Sequence, residues 1–255
     1  MIDDLDRTRK VARILLAVSL AVAFVVPGSL EAQERAPAES IRSDRPGLGD
    51  GTWVLGSGVW QAEVGGALQS SGEDQFLTGS GLLRLGLQGL ELRASLPGVG
   101  IARGEEDLVV GDVAVGVKLP LAEQDGWTTA LLGGVSLPLD RGEGVPDDPV
   151  GSAALLAETA LSDEAALGVN LGYAFPFDDV GQGTFAVIAT PLVALGDDVN
   201  AYAGWAGFFQ SGDDTHIVEG GVAWLARPDL QWDVNAGFDP DTEAWFLGAG
   251  FATRW

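Results

Sequence analysis

The chain contains no cysteine, and this absence limits what can hold its fold together. An exported chain without cysteine can cross an oxidising compartment, but it gains no stabilisation from disulfide bonds. After the apolar run near the N-terminus, no segment reaches about 18 continuous apolar residues, which is the length that a membrane-spanning helix needs. Disulfide cross-linking and a bundle of membrane helices are therefore excluded.

Basic residues are also scarce, since 14 Lys and Arg stand against 37 Asp and Glu, for a formal net charge of −23. Such an excess of acid argues against nucleic acid as a partner, because the phosphate backbone is bound through Lys and Arg. The acidity suits a surface that binds divalent cations or a salt-rich habitat, and the sequence leaves both alternatives open.

The one long apolar run, residues 14–26, has the surroundings of a secretory signal peptide. Basic residues precede it, and a segment that ends on the small residue Ala32 follows it. This order is typical of a cleaved export signal, and an N-terminal membrane helix is the alternative. We predict a signal peptide over residues 1–32, a polar arm without periodicity over 33–52, and a folded domain over 53–255.

The C-terminal segment alternates with a period of two. Trp255, Phe251 and Leu247 share one apolar face, whereas the opposite face is mostly small or polar. A strand of about 10 residues with aromatic residues near its ends is typical of a transmembrane β-strand. Similar segments recur from residue 59 onward, separated by turn signals such as Gln88-Gly89. We predict an all-β fold, a transmembrane antiparallel up-and-down β-barrel of about 12 strands.

The connections between these segments alternate between short turns and longer acidic loops, notably 98–108 and 140–149. This asymmetry is that of outer-membrane barrels, and an even strand count places both termini on the periplasmic side. A lipocalin-like barrel with an apolar interior is the alternative, because alternation alone does not tell which face is inside. The signal peptide and the terminal aromatic residue favour the bacterial outer membrane, with lipid and the barrel assembly machinery as partners. On this interpretation Phe251 and Trp255 form a C-terminal assembly signal.

Several short motifs occur in an order and spacing that indicate a family. They are Ser43-Asp44-Arg45-Pro46, Trp60-Gln61-Ala62-Glu63, Leu82-Leu83-Arg84-Leu85-Gly86-Leu87, Leu90-Glu91-Leu92-Arg93, Gly111-Asp112-Val113-Ala114-Val115-Gly116-Val117-Lys118 and Leu137-Pro138. Over residues 42–255 the chain resembles the outer-membrane transporters of the "MetA-pathway of phenol degradation" family. The resemblance implies a β-barrel and the uptake of aromatic or other hydrophobic compounds. The sequence departs from the family at Leu137-Pro138-Leu139-Asp140, where Pro-Thr-Gly is usual.

Charged residues on the first four predicted strands have the parity opposite to the Leu and Val face. On a lipid-facing interpretation they point into the lumen, because a charge on the lipid face would cost about 2–4 kcal/mol at the midplane. They form either a structural ladder of ion pairs or a constriction that selects permeants. We predict an inward polar network of Glu63, Arg84, Glu91, Arg93, Asp112 and Lys118.

Two classes of function follow from a barrel of this size, because twelve strands lie between filled and open barrels. The first is a channel or facilitator for small, aromatic or hydrophobic, solutes. The second is a structural or adhesion-type barrel whose lumen is plugged by side chains and which transports nothing.

Catalysis is not predicted. Outer-membrane phospholipases of twelve strands carry His-x-Ser on one strand, whereas Val218 stands two residues after the single histidine, His216. We expect His216 to be solvated. The acidic segments 104–107, 147–148, 178–179 and 239–241 lack the spacing of a dedicated Ca²⁺ loop, so we predict solvated charge, no metal and no cofactor.

The signal-peptide prediction is tested at the N-terminus of the exported protein. Because signal peptidase cuts after a small residue, we expect the mature chain to begin near Gln33 and to be recovered from the outer membrane. Mass spectrometry of the envelope fraction measures this. An intact Met1 on protein in the cytoplasm would contradict the prediction.

Overall fold

The fold is a single antiparallel sheet that closes on itself. A computed structural model describes residues 40–72, 74–103, 108–139 and 149–255; the predicted signal peptide lies outside them. The described strands are β1 (Trp60–Ser71), β2 (Asp74–Leu87), β3 (Leu90–Ala102), β4 (Leu108–Val110), β5 (Val113–Gln124), β6 (Trp127–Leu137), β7 (Val150–Ala160), β8 (Ala165–Pro176), β9 (Thr184–Ala194), β10 (Val199–Gln210), β11 (Asp213–Arg227), β12 (Leu230–Phe238) and β13 (Trp245–Arg254).

The strands form a twelve-stranded barrel, which confirms the predicted fold class. Each strand pairs with its neighbours in sequence, and β1 pairs with β13 to close the sheet. The short β4 and the longer β5 both pair with β3 and form one wall strand, interrupted at Gly111 and Asp112. Closure pairs β1 with β13, so the first and last strands of the wall have no free edge, which is a requirement for strands in contact with lipid.

The apolar face of the sheet points outward. Glu63, Arg84, Glu91 and Lys118 face the interior and are almost fully buried, which excludes a lipocalin-like apolar core. Outward positions carry large apolar side chains at least 40% exposed on many strands, among them Leu92, Val115, Leu131, Leu155, Leu171, Val222, Val234 and Leu247. A closed barrel with a polar lumen and an apolar outer surface is the fold of outer-membrane β-barrels.

The start of the first strand and the end of the last strand lie side by side at one end of the barrel. The amide of Trp60 donates to the carbonyl of Trp255, and the amide of Trp255 donates back, each over 3.0 Å. We call the end of the barrel that holds Trp60 and Trp255 the terminal end, and we call the opposite end of the barrel the far end. Turns of two to four residues connect strands at the terminal end, among them Gln88-Gly89 and Asp125-Gly126, where both glycines have positive φ.

One predicted loop is shorter than expected. The sequence predicted a connection over residues 98–108, but β3 continues to Ala102 and pairs with β2 as far as Phe76, and β4 starts at Leu108. Pro97 and Gly98 interrupt the alternation in β3, and the register shifts between Gly79 and Gly81 opposite them. The residues beyond this irregularity therefore look like a loop in sequence although they pair as a strand. Much of the second predicted loop, 140–149, lies outside the described residues.

The closing strand yields a test of barrel closure. Deleting Trp255 removes both of its backbone hydrogen bonds to Trp60 and leaves the end of β1 without its partner, exposing unpaired groups at the seam. We expect less of the heat-modifiable, membrane-inserted form, as seen by gel mobility of unboiled samples. Trp232→Phe is the matched control, because it alters an outward aromatic residue beside Phe251 and leaves the seam intact. Assembly of the truncated chain at wild-type levels would contradict the prediction.

Candidate functional site

The segment that precedes β1 folds into the lumen. It enters at the terminal end, where the amide of Ile41 donates to the carbonyl of Pro228 over 2.8 Å. It returns to the same end, where the amide of Gly58 donates to the carbonyl of Gly86 over 2.9 Å. Residues 41–59, which we call the lumen loop, are thus held at both ends on one side of the barrel.

Backbone amides of the lumen loop are satisfied by side chains of the wall. The acceptors lie on β3, on the neighbouring strands β7 and β8, and on β11, which are on different sides of the barrel, so the loop spans the lumen from wall to wall. The donors are the backbone amides of Leu48, Asp50, Thr52 and Leu55. Their acceptors are, in the same order, the side-chain oxygens of Glu219 at 2.8 Å, Asn170 at 2.7 Å, Glu158 at 2.9 Å and Glu91 at 3.0 Å. Buried backbone donors need such partners, and here the wall replaces secondary structure.

Two guanidinium groups face each other across neighbouring strands. Arg84 of β2 and Arg93 of β3 are direct cross-strand partners, and like charges in that position repel. Lys118 of β5 is the cross-strand partner of Glu91 and adds a third cation to the same patch of wall. Carboxylates among these cations are therefore needed to make the wall stable.

The lumen loop supplies the central carboxylate. Oδ2 of Asp44 lies 2.7 Å from Nη1 of Arg93, 2.9 Å from Nζ of Lys118 and 3.1 Å from Nη1 of Arg84. Its Oδ1 accepts from the amide of Gly51 over 2.9 Å, which also ties the two halves of the loop together. A single loop side chain thus bridges cations on three neighbouring wall strands.

The electrostatics keep Asp44 ionised. Burial alone would raise the pKa of its carboxyl, but the charges of Arg84, Lys118 and Arg93 outweigh burial and hold that pKa well below its ordinary value. Because the folded-state pKa is lowered, the stabilisation is present above the ordinary aspartate range and is lost as the pH falls below it.

Two wall carboxylates complete the neutralisation of Arg84. Glu91 accepts from Nε and Nη2 of Arg84, both over 2.8 Å, and Glu63 accepts from Nη1 over 2.7 Å. This fork of charge-assisted bonds fixes the guanidinium plane. The ring of Trp53 covers the group, with its centroid 4.2 Å from Cζ of Arg84 and 5.5 Å from Nζ of Lys118.

A second ion pair anchors the loop to the other side of the seam. Nη2 and Nε of Arg45 donate to Asp233 of β12 over 3.0 and 3.2 Å, and the Asp233 side chain is fully buried. The guanidinium lies against Gly65 and Gly250, which are cross-strand partners in β1 and β13. A Cβ at either glycine would meet this guanidinium, so the wall is shaped to receive Arg45.

Two cavities approach the lumen loop from opposite ends of the barrel. The cavity at the far end has about 500 Å³ and is lined by small and apolar groups such as Gly66, Val99 and Phe246. The cavity at the terminal end has about 520 Å³ and includes Tyr202 in its lining. Arg45 and Pro46 line both cavities. The loop at these residues therefore separates two vestibules of one lumen.

The structure brings five of the six residues predicted for the polar network into one cluster around Asp44: Glu63, Arg84, Glu91, Arg93 and Lys118. Asp112 lies at the interruption between β4 and β5, where Oγ of Ser136 donates to it over 2.8 Å. It is six positions from Lys118 in sequence, about 20 Å along a strand. The main partners of Arg93 are Asp44 and Asp50, with Glu91 farther away at 3.8 Å.

Sequence reasoning missed the loop residues of this site, above all Asp44, Arg45 and Asp50. The motif Ser43-Asp44-Arg45-Pro46 was a signal, because it carries paired charges in a segment without periodicity. Strand parity alone would have found the lumen-facing wall acids Glu219 and Asp233. It could not have placed Glu158, because Leu155 and Leu156 put leucine on both faces of that segment.

The remaining candidates lie away from this cluster. His216 stacks on Trp205 and meets the edge of Phe209, so its ring packs among aromatic side chains instead of standing free in solvent. Asp179 accepts from the amide of Gly181 in a short 3-10 turn, and Asp239 from that of Asp241. The acidic segments 104–107 and 147–148 fall outside the described residues. Within the described residues, no group of three or more His, Cys, Asp or Glu could hold a metal ion.

The fold defines the class of protein, and comparison with known proteins identifies the family. The fold and its polar lumen define an outer-membrane β-barrel. The chain belongs to the family described as "Putative MetA-pathway of phenol degradation", whose model matches residues 43–255. The match begins inside the lumen loop, at the motif that carries Asp44 and Arg45. No curated protein sequence matches the chain.

Several solved outer-membrane structures share the fold. The COG4313 outer membrane channel from Pseudomonas putida F1 superposes with a TM-score of 0.64 at 12% identity, covering 82% of this chain and 99% of that one. The KdgM porin in complex with disordered oligogalacturonate superposes with a TM-score of 0.58 at 7% identity, covering 76% of this chain and 98% of that one. The NanC porin superposes with a TM-score of 0.57 at 10% identity, covering 75% of this chain and 98% of that one.

The Arg45–Asp233 pair yields a stability prediction. Arg45→Ala leaves the buried Asp233 carboxylate without its guanidinium, so we expect a loss of about 3 kcal/mol in the free energy of unfolding. Adding Asp233→Asn should recover part of the loss, because no uncompensated charge remains. Thermal unfolding in detergent micelles measures the effect.

The matched control is Arg227→Ala, whose bridge to Asp229 is more than half exposed on the arginine side. Such a surface pair contributes at most about 1 kcal/mol. Equal effects of the two arginine variants would show that the lumen loop is not anchored through Arg45.

Proposed function

We propose that the protein is an outer-membrane channel for small, aromatic or hydrophobic, solutes, and that the lumen loop limits its conductance. The observation that supports this most is the pair of vestibules that approach the loop from the two ends of the barrel. A lumen filled throughout by side chains would leave no such vestibules, and each has the size of a site for a small molecule.

The lining of the far-end vestibule supports the class of solute. Among the described residues, Arg45 is the only charged one that lines it, and the remainder is largely glycine, apolar side chains and small hydroxyl or amide groups. Such a surface accommodates a partly apolar molecule and provides a few polar groups to orient it. The family description, which refers to phenol degradation, agrees with this class.

We also propose the route by which the chain reaches the outer membrane. Residues 1–32 act as a cleaved signal peptide, and Phe251 with Trp255 forms the signal that the barrel assembly machinery reads. The closing strand supports the second role, because Phe251 packs on Trp232 at an outward position and Trp255 ends the strand at the seam.

The second candidate is a structural or adhesion-type barrel that transports nothing. The dense contacts of the lumen loop with the wall favour it, since a loop fixed permanently would seal the lumen. The two candidates differ in a single property, which is whether solute passes the loop at Arg45 and Pro46.

Cysteine modification at the loop separates the candidates. Because the native chain has no cysteine, Pro46→Cys carries a unique thiol at the meeting point of the vestibules. We expect discrete conductance steps in planar bilayers that fall by more than half when a bulky, charged aqueous thiol reagent is added.

Leu92→Cys is the control, because that side chain lies on the outer face and its modification should leave conductance unchanged. Absence of conductance in the wild-type protein and in both variants would favour the sealed barrel. Equal responses of the two variants would contradict a permeation path past Pro46.

A further inference from the structure

We propose that Arg84, Arg93 and Lys118 form a carboxylate-binding site which Asp44 occupies as a built-in ligand, and that small carboxylate solutes open the channel by competing with Asp44. The inference rests on the proposed channel function and names both the class of solute that the site recognises and the contact that regulates passage.

The geometry is that of a bound anion. Three cations from three neighbouring strands converge within 3.1 Å on one oxygen of Asp44, and Nζ of Lys118 also lies 3.2 Å from the other. A free carboxylate presents the same two oxygens at the same spacing. Charge-assisted bonds of this kind are about twice as strong as neutral ones, which gives the site affinity for carboxylates in general.

The charge of the wall requires an anion at this position. Without the loop, the three cations are met by only two wall carboxylates of the cluster, Glu63 and Glu91. The surplus positive charge faces a narrow lumen, where desolvation makes an uncompensated charge costly. When the middle of the loop withdraws, it takes Asp44 and Asp50 away from these cations, and an anion from solution has to take their place. A neutral solute cannot do so.

The loop has space into which it can withdraw. A cavity of about 120 Å³ lies between the loop and the wall of β7 to β10, and Asp44, Gly49 and Thr190 are part of its lining. Gly47, Gly49 and Gly51 alternate along this part of the loop, and glycine gives the backbone freedom to change conformation. Because both ends of the loop are fixed at the terminal end, its middle can move while the barrel stays closed.

The wild-type protein provides the first arm of the test. Open probability in planar bilayers is measured at constant KCl with added benzoate or with benzyl alcohol, its neutral analogue of similar size. We expect benzoate to raise open probability at least about fivefold, the lower end of ordinary coupling between sites, and benzyl alcohol to leave it unchanged. Equal responses to the two compounds, or no response to either, would overturn the inference.

The second arm uses Asp44→Asn, which keeps the shape of the side chain and removes its charge. We expect this variant to be open without benzoate and to gain thermal stability when benzoate is added, because the vacated site binds the carboxylate. Asp229→Asn, in an exposed turn, is the control and should behave as wild type. A variant as closed as wild type and indifferent to benzoate would overturn the inference.

The outcomes also distinguish the two proposals. Conductance that does not discriminate benzoate from benzyl alcohol would overturn the carboxylate site and leave the channel function intact. Absence of conductance in the wild-type protein and in Asp44→Asn, both assembled in the heat-modifiable form, would overturn both.

Discussion

The structure depends on the neutralisation of three cations inside a narrow lumen. Arg84 and Arg93 oppose each other across β2 and β3, and Lys118 stands beside them on β5. The wall does not supply enough nearby carboxylates to balance them, so Asp44 of the lumen loop completes the set. The position of the loop follows from this requirement, and the division of the lumen into two vestibules follows from the position of the loop.

The wall is chemically asymmetric around the loop. The charged patch occupies β2, β3 and β5, whereas several buried inward positions from β6 to β10 are apolar, with Ala130, Leu156, Ile188 and Ala206. The loop is therefore held by ion pairs on one side and by pairs of hydrogen bonds on the other, with two at Asn170 and two at Glu158. A channel built in this way can respond to solute charge at one wall while a partly apolar solute passes the other.

Much of the barrel could be predicted from the sequence, because strand parity is a local property. Alternation places Leu92 outside and Glu91 inside, and the structure agrees. Alternation fails at Pro97-Gly98, where an irregular pairing hides the end of β3. The sequence alone also cannot tell which face is inside, and the apolar outer surface of the closed barrel answers that question.

The lumen loop could not be predicted, because its contacts are distant in sequence and its residues follow no period. Asp44 and Lys118 are 74 positions apart, and Arg45 and Asp233 are 188 apart. Strand parity identified the cations and the wall acids Glu63 and Glu91. The polar segment 33–52 has no such periodicity, so its sequence alone does not indicate that it binds inside the lumen. The six residues predicted for the inward patch carry three acids and three bases, so no imbalance of charge was visible in the sequence. The imbalance arises because Asp112 lies outside the cluster, at Ser136.

Hydrogen exchange of the loop amides tests the central claim most directly. The amides of Leu48, Asp50, Thr52 and Leu55 donate to wall side chains, so in the assembled protein they should exchange far more slowly than an exposed peptide. Exchange at the rate of an unstructured chain at these positions, with the strand amides protected, would show that the loop does not dock in the lumen. That result would contradict the account of the site and of both proposals built on it.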